Sequence, residues 1–157
     1  MGIPSRFQIS HGRGSIRRMR ITIAPPTPAD MDVLHPLLQG AYWSPGIPRE
    51  TVERACAASL CALARDEAGT LTGFARAVTD YTVFAWVCDV MVVPAHRGQG
   101  LGRNLVRALM SDPEMQTVRR WMLGTADAHG VYAELGFAPL KAPERLMEVI
   151  RPPHWGR

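Results

Sequence analysis

Lysine is almost missing from this chain: Lys141 stands alone against 17 arginines. Such a skew reads as genomic composition rather than function. The formal net charge of +4 is also less than it looks, because residues 1–18 hold Arg6, Arg13, Arg17 and Arg18 and no acid. Without these four, 14 basic side chains face 14 acidic ones. A nucleic-acid-binding fold carries its basic face within the folded part, and four arginines in a tail give little binding at physiological salt. A nucleic-acid partner is therefore not expected. Cysteine is scarce: Cys56, Cys61 and Cys88 are odd in number and form no C-x-x-C pair. That argues against a disulfide framework and a zinc site, and points to a chain without metal in a reducing cytoplasm. No apolar run approaches the ~18 residues of a membrane helix, and the first residues lack the apolar stretch of a secretory signal. Internal repeats are absent as well.

What is present is the composition of an ordinary globular domain. The 157 residues are 46% hydrophobic and 20% charged, enough for one domain over 19–157 with its own core. Residues 1–18 are rich in Gly, Ser and Arg without apolar period. They are expected to be a disordered extension or an over-long start, with Met19 an alternative beginning.

Hydrophobic periodicity predicts a first strand over Arg20–Ile23 and a helix from Asp30, as its cap, to about Gln39. Pro36 should kink that helix or end it early. A loop over Tyr42–Pro48 leads to a second helix ending near Ser59. Strands follow at Leu60–Arg65 and Leu71–Val78, around a turn. Thr82–Val93 reads as a central strand buried on both faces. A helix over Gly98–Met110, a strand over Val118–Leu123 and a short helix over His129–Leu135 come next. Phe137–Leu140 and Leu146–Ile150 are the expected final strands. This order gives a mixed α/β sheet with helices on both faces, not a regular β-α-β succession.

The segment that carries chemistry joins the central strand to the helix after it. Val93-Pro94 ends the strand, and Arg97-Gly98-Gln99-Gly100-Leu101-Gly102-Arg103 opens the helix. Alternate glycines allow positive φ and close approach of backbone to a ligand. Consecutive amides at a helix start form a phosphate site, and the two arginines suit phosphate oxygens. A Walker loop needs Gly-Lys-Ser/Thr, which is absent, and a dinucleotide fingerprint needs glycine where Arg103 stands. The plain alternative is a glycine-rich helix start without ligand.

Arg97-x-x-Gly100-x-Gly102 and, 35 residues after Arg97, Tyr132-Ala133-Glu134-Leu135-Gly136-Phe137 together resemble the GNAT superfamily of acyl-CoA-dependent N-acyltransferases. The resemblance covers roughly residues 20–150. It implies the GNAT fold, a mostly antiparallel sheet of six to seven strands flanked by about four helices. It implies acetyl-CoA as donor, with its pyrophosphate on Arg97, Gly98, Gln99, Gly100, Leu101, Gly102 and Arg103 and its pantetheine along Val90, Met91 and Val92. Thr125 stands where many members carry a cofactor-contacting asparagine. Tyr132 occupies the position of the acid that commonly protonates the leaving thiolate, with a core tyrosine beside Phe137 as the plain alternative, and the family's frequent dimers imply a homodimer.

Other candidates are read from the residues. Asp89 is the only charge in its apolar strand, so it needs a partner, such as Arg76, or a purpose, such as accepting the amine proton. Cys88 beside it has no visible base and reads as a small core residue rather than a nucleophile. His129 lies one turn before Tyr132 and is a relay candidate, with a plain surface histidine as the alternative, while His96 and His35 are read as plain. Tyr42 and Trp43 line an acceptor pocket or cap the core. Arg49, and less so Arg54, are candidates for a carboxylate on the acceptor, with an ordinary solvated helix face as the alternative. The reading is thus an N-acetyltransferase acting on a primary amine of a small molecule or protein. The alternatives are a non-catalytic acyl-CoA-binding module and a nucleic-acid-associated protein using its arginine tail.

Overall fold

The structure, a computed structural model, describes residues 6–8 and 19–155. The expected disordered extension over residues 1–18 lies outside these except for Arg6–Gln8, which form a short strand β1. One six-stranded sheet runs in chain order: β1, β2 (Arg20–Ile23), β3 (Leu60–Arg65), β4 (Leu71–Thr79), β5 (Phe84–Val92) and β6 (Arg120–Leu123). Neighbours pair antiparallel up to β5, and β5 and β6 pair parallel. The helices are α1 (Pro28–Gln39), α2 (Arg49–Ala57), α3 (Leu101–Met110) and α4 (His129–Ala133).

Small residues decide where α3 sits. Its stripe of Leu101, Leu105, Ala108 and Leu109 packs onto Ala62, Ala64, Ala75, Ala77 and Ala85 of the sheet. A Cβ at Gly73 would stand 3.0 Å from Leu105 Cδ1, so this floor is cut low for the helix. On the other face larger side chains, Leu63, Phe74 and Met91, meet Met31, Leu34 and Leu38 of α1 and Val52 and Cys56 of α2. The helical spacing of these residues is what buries them.

The cap of α1 is Thr27, not Asp30. The Thr27 hydroxyl accepts from the Asp30 N–H (3.2 Å), and the Asp30 carboxylate accepts from the Thr27 N–H (2.7 Å), a reciprocal capping box. Asp30 also binds Arg65 of β3 (Nη2–Oδ2 2.5 Å), fastening α1 to the sheet. The helix runs through Pro36 to Gln39. The proline sits in the last turn, where only one intrahelical bond is forfeited, and no early end results.

The central strand differs from expectation. It begins at Phe84 because the Asp80 carboxylate accepts from the N–H groups of Thr82, Val83 and Phe84, folding those residues into a turn. It is not buried on both faces: Phe84 and Trp86 are 36% and 38% exposed. Pairing shifts between Phe74 opposite Met91 and Arg76 opposite Cys88, so Asp89 and Val90 together oppose Ala75. Asp89 takes φ +52°, and the strand carries a bulge there. The bulge changes which side chains face which helix. Ala85 packs on the α3 side before it, and Val90 and Val92 do so after it, while Met91 faces α1 and α2.

The two expected final strands do not form: β6 is the last strand among the described residues, and Leu146 to Ile150 pair with nothing. Met147, Val149 and Ile150 are 98%, 85% and 80% exposed. Strand-like composition alone did not give them a pairing edge. Among the described residues, no helix is long and apolar enough to cross a membrane.

Candidate active site

The site begins where two strands part. β5 and β6 pair only from Phe84 opposite Arg120 to Val87 opposite Leu123. β6 then stops, while β5 continues through the bulge to Val92. Among the described residues, the edge of Cys88–Val92 on that side therefore has no strand beside it, and its peptide groups, apart from the Val92 carbonyl held by Arg97, are open to another partner. This is the stretch in which Val90, Met91 and Val92 were expected to line pantetheine.

The open edge leads into the glycine loop. A 3-10 turn at Pro94–His96 follows β5, and α3 starts at Leu101 with Gly100 as its cap at φ +74°. Gly98 has φ +73° with open space where a Cβ would stand. The first amides of α3 have no intrahelical acceptor and point out of the loop. Arg103 folds back so that its Nη2 lies 3.1 Å from where a Cβ on Gly100 would stand. Its Nε is buried without an acceptor, the only such side-chain atom among the described residues, and its Nη1 donates to the Glu134 carboxylate. Gly102 lies against Val90, where a Cβ would come within 3.4 Å of Cγ1. Arg97 donates from Nε to the Val92 carbonyl (3.0 Å), bracing the strand end against the loop. A cradle of bare amides with an orphaned guanidinium donor fits a diphosphate.

Tyr132 sits in α4, edge-on to Phe137 with ring centroids 6.1 Å apart. Gly136 at φ +92° turns the chain so that the Phe137 N–H donates to the Tyr132 carbonyl (3.2 Å). Burial pushes the Tyr132 phenol above its usual range, and the Tyr42 phenol and Asp127 push the same way. It is therefore protonated at neutral pH. Thr125 uses its hydroxyl oxygen to accept from the Ala128 N–H (3.0 Å) at the start of α4. His129 opens that helix.

Asp89 is held by two partners. Arg76 Nε donates to Oδ2 (2.6 Å), and Trp43 Nε1 donates to Oδ1 (3.2 Å). Arg76 continues the chain to Ser59 Oγ (3.1 Å). Burial pushes the Cys88 thiol up to about 11, so it is a thiol rather than a thiolate at neutral pH. Tyr42 and Trp43 lie in the α1–α2 loop, packed edge to face at 4.9 Å and 65% and 47% exposed. They do not cap the core.

Arg49 is elsewhere engaged. It donates to Asp32 (2.6 Å), Glu53 (2.9 Å) and the Pro28 carbonyl (3.1 Å), joining the starts of α1 and α2. His35 does have a partner, the Ile47 carbonyl at 2.9 Å from Nε2. Sequence reasoning missed Ser59 and Glu134, whose neighbours are 17 and 31 residues away. Nothing local in the sequence marks either. Among the described residues, no group of three or more His, Cys, Asp or Glu is placed to hold a metal ion.

Residues 31–137 match the Acetyltransferase (GNAT) family. Among solved structures, a GNAT-family protein from Xanthomonas campestris pv. campestris is 38% identical, with TM-score 0.76, covering 84% of this chain and 94% of its own. A GNAT-family acetyltransferase from Streptococcus pneumoniae TIGR4 is 24% identical (TM-score 0.64; 87% and 99% covered) and shares the fold. So does a protein from Clostridium acetobutylicum solved with acetyl-CoA, at 14% identity (TM-score 0.62; 84% and 96% covered). No curated protein matches the chain in sequence.

Proposed function

The chain belongs to the GNAT acetyltransferase family and is an acyl-CoA-dependent N-acetyltransferase; from that premise we propose that it moves an acetyl group from acetyl-CoA to a primary amine of a small molecule or protein by direct attack. The observation that carries the reading is the open edge of β5 running into the bare amides of Gly98–Gly102. In the reading, these amides with Arg97 and Arg103 take the pyrophosphate, the edge of Val90–Val92 takes the pantetheine amides, and Thr125 lies beside the cofactor. The cofactor supplies an activated acetyl thioester.

Each remaining step belongs to this chain's side chains. Tyr132 keeps its proton at neutral pH because of burial, so it serves as the acid that meets the departing sulfur. An alkyl ammonium, with pKa near ~10, must lose a proton before attack. Asp89 is assigned to receive or relay that proton. Each of its oxygens accepts one bond in the structure and retains a lone pair for an incoming N–H. The α1–α2 loop with Tyr42 and Trp43 forms the acceptor side. The three free thiols fit a reducing, cytoplasmic setting, and the exposed Leu146–Ile150 segment fits a homodimer.

Calorimetric titration with coenzyme A, beside a thiol-release assay with acetyl-CoA and a panel of primary amines, tests this reading. Binding that is lost in Gly100→Val, together with amine-dependent thiol release, is expected. Wild-type protein that takes up no coenzyme A removes the reading.

A further inference from the structure

We infer that the acceptor of this transferase is an amine on an uncharged apolar or aromatic body, without a carboxylate or phosphate. The inference rests on the acetyl-transfer reading and names the substrate class of that same site. Two large rings, Tyr42 and Trp43, stand in water at 65% and 47% exposure although the loop carrying them borders the core of α1 and α2. They are not loose: the Trp43 indole is tied to Asp89 across 46 residues of chain, and Tyr42 packs edge-on against it. Tyr42 also lies within electrostatic reach of the Tyr132 phenol. A fixed, solvent-facing aromatic wall between the bulge of β5 and the α4 tyrosine gives an incoming molecule apolar surface to cover.

The charges around this wall point the same way. Arg76, the guanidinium beside the bulge, is neutralised by Asp89 and also held by Ser59. Arg49, the other guanidinium next to the loop, is neutralised by Asp32 and Glu53. An acceptor carboxylate or phosphate would have to pull one of these away from its acid. An ammonium meets aromatic faces and a carboxylate with spare lone pairs, both favourable to a cation.

The test uses acceptors that share a skeleton: 2-phenylethylamine and phenylalanine, which differ only in the carboxylate, with glucosamine 6-phosphate as an anionic amino sugar. Thiol release is measured with each, alongside coenzyme A titration of the same protein. The expected result is a kcat/KM for 2-phenylethylamine at least ~30-fold above that for phenylalanine, the scale of leaving a buried charge unpaired. In Trp43→Ala, KM for 2-phenylethylamine should rise ~10-fold while coenzyme A affinity stays the same. Equal or better turnover of either anionic amine overturns the inference, and so does coenzyme A binding without turnover of any of the three. Neither outcome touches the coenzyme site. Absence of coenzyme A binding would instead remove the acetyl-transfer reading beneath it.

Discussion

Two arginine–aspartate pairs sit on neighbouring strands at nearly the same length, Arg65–Asp30 at 2.5 Å and Arg76–Asp89 at 2.6 Å. Their surroundings separate them. Asp30 belongs to a regular helix, and its carboxylate takes four donors: the Thr27 N–H, the Thr27 hydroxyl and Arg65 Nη2 on Oδ2, and Arg65 Nε on Oδ1. It is 4% exposed, so no incoming group can reach it. Asp89 stands at a left-handed backbone position, with one bond on each oxygen and an exposed ring leaning on it. The first pair fastens a helix to a sheet. The second keeps spare hydrogen-bonding capacity at the mouth of an open edge, and the proton role proposed for Asp89 draws on that capacity.

The contrast breaks if the two pairs respond alike to mutation. The largest effect is expected at the saturated pair. Asp30→Ala removes the reciprocal half of the capping box and strands Arg65, and should cost about 3–5 kcal/mol in urea unfolding, with kcat/KM per folded molecule unchanged. Next comes Tyr132→Phe on the site side: kcat should fall ~100-fold with coenzyme A affinity and unfolding midpoint retained. Unchanged turnover would remove its acid role. Asp89→Asn should lower kcat/KM about 10-fold while costing at most ~2 kcal/mol, since asparagine tolerates the left-handed region. A pH–rate profile that keeps its shape in this variant would strip Asp89 of the proton role and leave it a positioning group.

The smallest effects are in pH. The Asp30 carboxyl is held below its usual value: burial pushes it up, but the Arg65 and Thr27 hydrogen bonds outweigh that. Its contribution to stability should be complete above the unfolded carboxyl value of ~3.9 and vanish as pH falls through the lower folded value. Asp30→Asn should show a shallower acid slope in thermal unfolding. Tyr132 is shifted upward, so an alkaline loss of kcat due to its ionisation belongs above the ordinary phenol value of ~10.

Much of this was legible in sequence, for a physical reason: the features that could be read are local. Gly98, Gly100 and Gly102 announce their loop because backbone freedom is a property of the residue itself. The stripe of Leu101, Leu105 and Leu109 shows α3 by spacing alone. The bulge was hidden, because a run as apolar as Val83–Val93 has no polar alternation whose phase could be seen to slip. The Leu146–Ile150 segment has strand composition, but pairing depends on an edge supplied by distant chain. The long-range partners of Arg49 were out of view for a related reason. Its partners Asp32 and Pro28 lie a helix away, and an arginine on a helix surface gives no sign of what it already holds.

The single extra residue at the β5 bulge sets the frame in which everything after it is read. Replacing Asp89 or Val90 keeps that frame. Deleting either one keeps it as well: Cys88 still opposes Arg76, one residue is left opposite Ala75, and Met91 still opposes Phe74, so only the left-handed kink is lost. A one-codon deletion of Asp89 should therefore leave folded, soluble protein while removing the kink and its carboxylate, a separation of fold from turnover that an alanine scan of this strand will not show. By the same arithmetic, one inserted codon is enough to give a plain sheet strand a kinked carboxylate while every core side chain after it keeps its neighbour.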